Sequence, residues 1–299
     1  MHTDPLSPGG HTAPLPPGSI HYTVQGSGPL CVVLPGGPGM HPNYVGDLGG
    51  LDDFLTLLVM HPRGAGESAD APDGDYTLPA YARDVAALLD HLGRRAVLVL
   101  GHSHGGMIAQ RFAIDFPDRV ERLILADTAA SLGSVIQDLD AATARFRDQP
   151  WYADARAALD AEWAGAYGTA EEMGELWLRE MPFYFCEWGP HYEPLRAARI
   201  GLPTRLDPLR AFNANEAPAM DLRPELARIT APTLVLVGRY DFICTPAMAA
   251  GIAQHIRGAR LVVFEQSEHM VYAEERAAWQ AAIRGFVAAP RDRRIVKAG

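Results

Sequence analysis

Cysteine is scarce in this sequence and poorly placed for pairing. The 299 residues include three cysteines, Cys31, Cys186 and Cys244, which lie far apart along the chain. An odd number of widely separated cysteines argues against a disulfide framework and against a cysteine-based zinc site. We therefore expect three free thiols in a reducing compartment.

Long apolar runs and clustered positive charge are also missing. No stretch contains the roughly 18 consecutive apolar residues that a membrane-spanning helix requires. The formal net charge is −10, and Lys and Arg form no stripe that could follow a phosphate backbone. We expect neither a membrane nor a nucleic acid as a partner, and the oligomeric state does not follow from the sequence.

The first 19 residues lack both a basic start and an apolar run, and they are rich in Pro and Gly. They match neither a secretory signal peptide nor a membrane anchor. Residues 1–19 are therefore predicted to form a flexible N-terminal arm, and the protein is predicted to be cytoplasmic.

From residue 20 onward, short apolar runs alternate with amphipathic helical patterns. Strands are predicted at residues 20–24, 30–34, 55–60, 96–100, 120–126, 233–237 and 261–264. Helices are predicted at residues 78–92, 105–116, 153–163, 248–256 and 273–287. Continuous apolar strands separated by helices indicate an α/β protein with a mostly parallel sheet flanked by helices on both faces.

The alternation stops between residues 129 and 222. Residues 131–222 hold 15 acidic residues against eight arginines, and four of the five tryptophans fall in this part of the chain. We predict an acidic, aromatic helical cap at 129–222. It is inserted into a sheet domain formed by residues 20–128 and 223–299.

The stretch Gly101-His102-Ser103-His104-Gly105 lies between a predicted strand and a predicted helix. Small residues near a serine allow a sharp turn that projects its hydroxyl above the sheet. The amino end of the following helix also favours negative charge that develops nearby. Ser103 is therefore the predicted nucleophile.

A serine nucleophile needs a base, and the base needs an orienting carboxylate. Asp241 follows the predicted strand 233–237, and His269 follows the last predicted strand. Because the carboxyl ends of parallel strands meet at one edge of a sheet, we predict that both side chains reach Ser103. The chain order Ser, Asp, His agrees with the α/β-hydrolase architecture.

Other side chains near these positions give alternatives. Asp127, at the end of the predicted strand 120–126, could supply the carboxylate instead of Asp241. Glu268 adjoins the predicted base and is expected to be a solvated loop charge, and His102 and His104 are expected to line the turn. The 11 histidines show no short spacing suited to a metal, so no metal site is predicted.

The segment Pro35-Gly-Gly-Pro-Gly39 follows the predicted strand 30–34. A loop in this position can give a backbone N–H to the oxyanion that forms during acyl transfer. Gly37 and His104 are the predicted donors, through their backbone N–H groups.

Together these stretches resemble the α/β-hydrolase superfamily and, within it, the proline iminopeptidase family. The likeness rests on PGGPG at 35–39, HPRGAGES at 61–68, GHSHGG at 101–106, GRYD at 238–241 and SEH at 267–269. The family usually has His, Asp and Trp where this chain has Pro35, His61 and His104. The resemblance implies a helix-flanked sheet, a Ser-His-Asp triad and no cofactor.

The cap is the part of the chain from which the resemblance implies substrate-binding residues. The family uses glutamates of its cap to hold the free amino group of the substrate. The resemblance therefore points to Glu216 and Glu187 as candidate substrate-binding residues. An acidic, aromatic cap also suits a cationic amine attached to an apolar side chain.

These features predict a cofactor-independent serine hydrolase that acts by acyl transfer on a small molecule or short peptide. The leading hypothesis is an aminopeptidase that removes an N-terminal residue. An esterase or lactonase acting on small apolar esters is the alternative among enzymes, and a small-molecule receptor that retains the triad is a third hypothesis. A serine at the nucleophile position argues against dehalogenase and epoxide chemistry, which use an aspartate there.

Overall fold

One eight-stranded sheet organises the computed structural model, which describes residues 4–16, 18–132 and 139–290. The strands are β1 (Gly9–Pro14), β2 (Ser19–Gly26), β3 (Leu30–Leu34), β4 (Thr56–Met60), β5 (Val97–His102), β6 (Val120–Ala126), β7 (Thr233–Gly238) and β8 (Arg260–Phe264). Their order is β1-β2-β4-β3-β5-β6-β7-β8. The β1–β2 and β2–β4 pairs are antiparallel, and the other neighbouring pairs are parallel. The predicted α/β class with a mostly parallel sheet is confirmed.

Helices cover the sheet and fill the connection between β6 and β7. The α-helices are α1 (Leu78–His91), α2 (His104–Asp115), α3 (Leu139–Thr143), α4 (Tyr152–Trp163), α5 (Ala170–Glu180), α6 (Glu193–Ala197), α7 (Leu206–Ala211), α8 (Ala217–Ala219), α9 (Pro246–His255), α10 (Val271–Glu274) and α11 (Arg276–Ala288). Short 3-10 helices occur at Pro42–Val45, Leu51–Asp53, Pro117–Arg119, Ala144–Phe146, Met181–Tyr184, Pro190–Tyr192 and Arg223–Arg228, and a π-helical turn at Phe212–Glu216. Among the described residues, no helix is both long and apolar enough to cross a membrane.

The central strands are apolar on both faces because helices pack against both. Val99 and Leu125 belong to a core shared with α1, α2 and α9. Their neighbours Leu100 and Ile124 belong to a second core that includes Trp279 of α11. Side chains of a strand alternate between faces, so consecutive residues divide between the two cores. The parallel strands from β4 to β8 consequently deliver their C-terminal loops to one edge of the sheet.

Strand β1 corrects the prediction of a flexible arm at residues 1–19. Its residues pair with β2 from Gly9 opposite Val24 to Pro14 opposite Ser19. Ala13 is fully buried. The Pro and Gly content that suggested disorder is compatible with an edge strand, where one side of the backbone needs no partner strand. Residues 1–3 and 17 of the predicted arm lie outside the described residues.

The C-terminal helix also differs from the prediction of one helix at 273–287. Glu275 has a non-helical backbone, with φ −112° and ψ 51°, and separates α10 from α11. Its carboxylate accepts hydrogen bonds from Gln266 N at 2.9 Å and Ser267 Oγ at 2.7 Å. The side chain thus ties the break to the loop that follows β8.

The described elements from Leu139 to Arg228 are all helical, and they form one insertion between β6 and β7. The two ends of this insertion meet at the sheet edge. Ser131 forms an isolated antiparallel bridge with Asp221, and Leu222 N donates to Ala130 O at 2.7 Å. This closure supports our proposal that residues 129–222 act as a cap, although residues 133–138 lie outside the described part.

Candidate active site

The turn between β5 and α2 holds Ser103 in a conformation that is uncommon for a residue with a side chain. Its φ is 55° and its ψ is −125°. Such backbone strain persists where surrounding contacts enforce it. Ser103 N donates to Ala126 O at 3.0 Å, and Thr128 Oγ1 donates to Ser103 O at 2.7 Å. The end of β6 therefore fixes the sharp strand–turn–helix geometry that presents a nucleophile.

Two glycines let the backbone pass close to this turn. A Cβ at Gly105 would overlap the carbonyl oxygen of Leu34, and a Cβ at Gly36 would lie 2.6 Å from Ser103 Cβ. Real Cβ atoms do not approach so closely without displacing a neighbour. Glycine at both positions consequently brings the 35–39 loop directly beside the serine.

His269 and Asp241 lie together at the same sheet edge. His269 Nδ1 is 2.8 Å from Asp241 Oδ2, and both side chains are almost completely buried. The other carboxylate oxygen of Asp241 accepts from Ile243 N at 2.9 Å and Cys244 N at 2.8 Å. Because these bonds orient the carboxylate, the histidine ring is held with Nδ1 toward Asp241 and Nε2 available for other contacts.

Ser103 and His269 line one cavity. Among the described residues, no hydrogen bond joins Ser103 Oγ to the imidazole. Catalytic hydrogen bonds are often long in ligand-free enzymes and shorten when substrate binds. The structure thus brings the serine and the His–Asp pair to one cavity without closing the contact between them.

Asp127, the alternative carboxylate, has different partners. Its Oδ1 accepts from Gly238 N at 3.0 Å. Its Oδ2 is buried without a hydrogen-bond partner among the described residues and lies 4.0 Å from His102 Nε2. Burial and the nearby charge of Asp241 raise the pKa of Asp127 well above its ordinary value. The structure therefore favours a protonated Asp127 and places Asp241, rather than Asp127, against His269.

His102 connects the 35–39 loop to the residue that carries the imidazole. Its Nε2 lies 3.0 Å from the backbone oxygen of His269, and its Nδ1 lies 2.8 Å from Tyr44 Oη. A carbonyl can only accept, so Nε2 carries the proton and Nδ1 accepts from the tyrosine hydroxyl. Tyr44 Oη in turn accepts from Gly36 N at 2.6 Å. Burial lowers the pKa of His102 to about 3, which keeps the ring neutral in this chain of hydrogen bonds.

The predicted oxyanion donors also reach the cavity. Gly37 and His104 both line it. His104 is the first residue of α2, where a backbone N–H has no partner within the helix. Gly37 N donates no hydrogen bond among the described residues. The side chain of His104 packs against Tyr81 and Phe212, and burial lowers its pKa to about 3.

The cavity has a volume of about 750 Å³ and lies between the sheet edge and the helical insertion. This size is typical of small-molecule sites. Most of the lining is apolar or aromatic and includes Met107, Trp163, Trp177, Leu209 and Phe212. Among the described lining residues, Glu162 is the only carboxylate, and there is no lysine or arginine.

Glu162 is a candidate that the sequence interpretation missed. Its Oε1 accepts from Trp177 Nε1 at 3.1 Å, and burial raises its pKa to about 6. Glu162 belongs to the helix predicted at 153–163, but helical periodicity does not reveal which face turns toward the serine. The pair Glu162-Trp163 at the helix end was the available signal.

The two glutamates named from the resemblance lie elsewhere. Glu187 is exposed, and neither it nor Glu216 lines the cavity among the described residues. The carboxylate of Glu216 accepts from Leu78 N at 3.5 Å, at the start of α1. No motif marks the cavity-facing glutamate of the cap, because spacing within an irregular helical insertion does not determine which side chains face the cavity.

Glu268 corrects another expectation, since it is buried rather than solvated. Its carboxyl oxygen accepts a hydrogen bond from Arg145 of the insertion, and its backbone N donates to Glu274 Oε2 at 2.7 Å. The Arg145 guanidinium also lies over the rings of Phe146 and Tyr240. Burial raises the pKa of Glu268 to about 9. These contacts attach the insertion to the loop that carries His269.

Comparisons with known proteins agree with this architecture. A family model described as alpha/beta hydrolase fold matches residues 29–276. A proline iminopeptidase of Saccharolobus solfataricus is 28% identical over 280 residues, covering 89% of this chain and 87% of that protein. A 3-oxoadipate enol-lactonase of Acinetobacter baylyi is 32% identical over 231 residues, covering 77% and 78% respectively.

A solved structure gives the same result in three dimensions. The crystal structure of a hydrolase from Pseudomonas aeruginosa has a TM-score of 0.71 and 29% identity, covering 94% of this chain and 98% of that one. The predicted superfamily, fold and enzyme class are thereby confirmed. This chain belongs to the α/β-hydrolase family, and it is a hydrolase that resembles proline iminopeptidases.

Proposed function

We propose that the protein is a serine hydrolase in which Ser103, His269 and Asp241 form the catalytic triad. Ser103 Oγ attacks the substrate carbonyl while His269 takes its proton, and His269 then returns that proton to the leaving group. Asp241 holds the ring with Nε2 toward the serine. Water then attacks the ester formed on Ser103. His269 takes a proton from that water and returns it to Ser103 Oγ as the acyl group leaves.

The oxyanion hole in this proposal consists of the backbone N–H groups of Gly37 and His104. Both residues border the cavity beside Ser103. Two fixed backbone donors stabilise the negative oxygen of a tetrahedral intermediate more strongly than water does, because they need no reorientation. No cofactor takes part in these steps.

We further propose that the substrate carries a free amino group, as in an aminopeptidase that resembles proline iminopeptidases. One observation carries this proposal: Glu162 is the one carboxyl group among the described residues that line a mostly apolar and aromatic cavity. An ammonium group favours the ionised form of a nearby carboxyl. The tryptophan and phenylalanine rings then accommodate the side chain attached to the amine.

A lactonase or esterase is the second candidate. The 32% identity to an enol-lactonase and the apolar lining both support it. In this candidate, the ionised carboxylate of Glu162 accepts a hydrogen bond from the substrate, or the protonated carboxyl donates one to it. The reaction at Ser103 is the same, and only the leaving group differs.

Labelling with a fluorophosphonate probe tests the nucleophile. We expect rapid labelling of the wild-type protein. The variant Ser7→Ala, which replaces a serine outside the cavity, is the matched control and should be labelled equally fast. Loss of labelling in Ser103→Ala, with an unchanged circular dichroism spectrum, supports the assignment. Labelling that persists in Ser103→Ala contradicts it.

A substrate panel distinguishes the two candidates. Prolyl and alanyl arylamides represent the aminopeptidase, and short-chain nitrophenyl esters and enol-lactones represent the alternative. Arylamide hydrolysis that disappears when the amino group is acetylated supports the aminopeptidase. Ester or lactone turnover without arylamide hydrolysis favours the alternative.

A further inference from the structure

A cluster of histidines and one glutamate lies outside the cavity, beside β2 and β4. His21, His61 and Glu67 each offer one ligand atom, and these atoms lie within 4.8 Å of one another. Glu67 Oε2 is 2.7 Å from His61 Nδ1, and Glu67 Oε1 is 3.1 Å from His41 Nε2. Two imidazoles and a carboxylate are donors that suit a divalent transition metal.

Backbone hydrogen bonds hold His21 and His61 beside each other without a ligand. His61 N donates to His21 O at 2.9 Å, which extends the pairing of β2 with β4. Ser68 Oγ donates to His61 O at 2.5 Å and accepts from His21 N at 2.8 Å. The positions of the two imidazoles are thus determined by the sheet and by one serine, and little ordering remains for a bound ion to impose.

His61 has an unused nitrogen. Its side chain is 1% exposed, yet Nε2 has no hydrogen-bond partner among the described residues. A buried polar atom of this kind is uncommon in native proteins and calls for a partner. Glu67 is 54% exposed, so the cluster also has an open side through which an ion can enter.

His41 supports the carboxylate rather than adding a ligand. Its Nδ1 accepts from Asn43 N at 3.2 Å, so in the neutral ring the proton is on Nε2. That N–H donates to Glu67 Oε1. Hydrogen bonds of this type orient metal-ligating carboxylates in many proteins.

We propose that His21, His61 and Glu67 form a binding site for a divalent transition metal ion, with Zn²⁺ the best match to this donor set. Metal–ligand bonds of about 2.0–2.2 Å place neighbouring ligand atoms roughly 3.3 Å apart in a tetrahedral site. Rotation of the exposed Glu67 side chain and small shifts of the rings reach that spacing. Water completes the coordination.

The site differs from the prediction of no metal because its residues are distant in the sequence. Positions 21, 61 and 67 contain no short ligand motif, and only the pairing of β2 with β4 brings them together. A bound ion would link the antiparallel part of the sheet to the 61–68 loop. The expected role is stabilisation, and it is independent of the reaction at Ser103.

Titration of tag-free, chelator-treated protein with ZnCl₂ in a calorimeter tests the proposal. We expect one equivalent to bind and to raise the thermal unfolding midpoint. Glu67→Gln and His21→Gln should each weaken binding by roughly 10-fold or more. Both are more accessible than His61, so these variants avoid the risk that replacing a buried ring prevents folding. His91→Gln and His255→Gln, two exposed histidines, are matched controls and should bind like wild type.

A second group of metal-capable side chains, Asp241, Cys244 and His269, makes a further control necessary. Cys244→Ala should leave the first equivalent of Zn²⁺ unchanged. If Glu67→Gln and His21→Gln bind like wild type, or if only Cys244→Ala loses the ion, the proposed site is wrong. Absence of binding to the wild-type protein at millimolar Zn²⁺ also refutes it.

Discussion

At the scale of single residues, two buried carboxyl groups near the imidazole have different environments and should respond differently to the same change. Asp241 binds His269, whereas one oxygen of Asp127 accepts from Gly238 N and the other has no hydrogen-bond partner in the described part of the chain. Asp241→Asn should lower kcat by about 10⁴-fold, because the amide no longer holds the required tautomer of the ring. Asp127→Asn replaces a carboxyl that favours its neutral form, so kcat should stay within about 10-fold of wild type.

Steady-state kinetics on the best substrate of the panel measure both variants. Asp127→Asn also serves as the matched control, because it removes a buried carboxyl at a neighbouring strand end. A larger loss in Asp127→Asn than in Asp241→Asn would move the orienting role to the earlier strand.

Glu162 gives a prediction about substrate recognition and pH. The pKa of its carboxyl is raised to about 6, so the carboxylate form needed to hold an ammonium group is lost as pH falls through that value. KM for an aminoacyl arylamide should therefore rise below about pH 6, while KM for a neutral ester stays nearly constant. Glu162→Gln should raise KM for the arylamide roughly 10- to 100-fold, the value of a charged hydrogen bond.

Glu187→Gln, at an exposed position of the same insertion, is the control and should leave both KM values unchanged. Equal changes in KM for the arylamide and the ester in Glu162→Gln would argue against an ammonium partner. A larger effect from Glu187→Gln would restore the candidate that the sequence resemblance suggested.

Sequence reasoning located residues well where chain order reflects sheet geometry. Ser103, Asp241 and His269 each follow a parallel strand of one sheet, so their position at the same sheet edge follows from topology. Glu162 sits in a helical insertion whose path depends on packing, and the sequence contained no comparable rule for it. The triad assignment remains a prediction until the variants are measured.

At the scale of elements, β1 is the feature most open to a direct test. It covers the edge of β2, buries Ala13 and is reinforced by a hydrogen bond from Tyr22 Oη to Pro5 O. Deletion of residues 1–14 should lower the thermal unfolding midpoint and promote aggregation, because it exposes an unpaired strand edge. The specific activity of the remaining folded protein should be unchanged, since none of the described residues in this segment, 4–14, lines the cavity.

Scanning calorimetry, light scattering and active-site titration measure the three quantities. A deletion limited to residues 1–3, which leaves the whole of β1 in place, is the control. An unchanged unfolding midpoint after removal of residues 1–14 would restore the original interpretation of a flexible arm.

The elements predicted best are those with a run of buried apolar residues. Residues 30–34 and 120–126 coincide with β3 and β6, because each strand contains at least four consecutive buried apolar side chains. Strand β1 was not predicted, because its exposed sequence contains Pro and Gly and has no such run. Its strand conformation depends on its pairing with β2. The break at Glu275 was not predicted either, because the groups that bind its carboxylate, Gln266 N and Ser267 Oγ, lie in another loop.

At the scale of the whole molecule, several buried carboxyl groups make stability depend on pH. Burial raises the pKa of Glu268 to about 9 and raises those of Asp127 and Glu180 well above their ordinary values. Between pH 7 and 9 the folded state keeps the proton of Glu268, which the unfolded state has already lost. The free energy of unfolding should therefore fall as pH rises over this interval, by up to about 1.4 kcal/mol per pH unit for each retained proton.

Denaturant unfolding at pH 7, 8 and 9 measures this slope. Glu268→Gln should make the decline shallower, because one of the retained protons is gone. Comparing slopes rather than absolute stabilities separates this effect from the altered hydrogen bond with Arg145. A free energy of unfolding that stays constant or increases from pH 7 to 9 would contradict the prediction.

The amino-acid composition shows that the protein is acidic, but it does not show which acidic side chains are buried. The net charge of −10 gives no distinction between a solvated carboxylate and a buried one. Glu268 illustrates the difference, because a loop position beside the predicted base turned out to be covered by the insertion. Burial is decided by contacts between distant segments, which a single sequence does not specify.

The bridge between Ser131 and Asp221 brings both ends of the insertion to one point at the sheet edge. A single continuous segment of the chain therefore forms the helical side of the cavity. Exchange of this segment between relatives would therefore replace the helical side of the cavity and keep the strand ends that carry Ser103, Asp241 and His269, provided that the contact of Arg145 with Glu268 is kept.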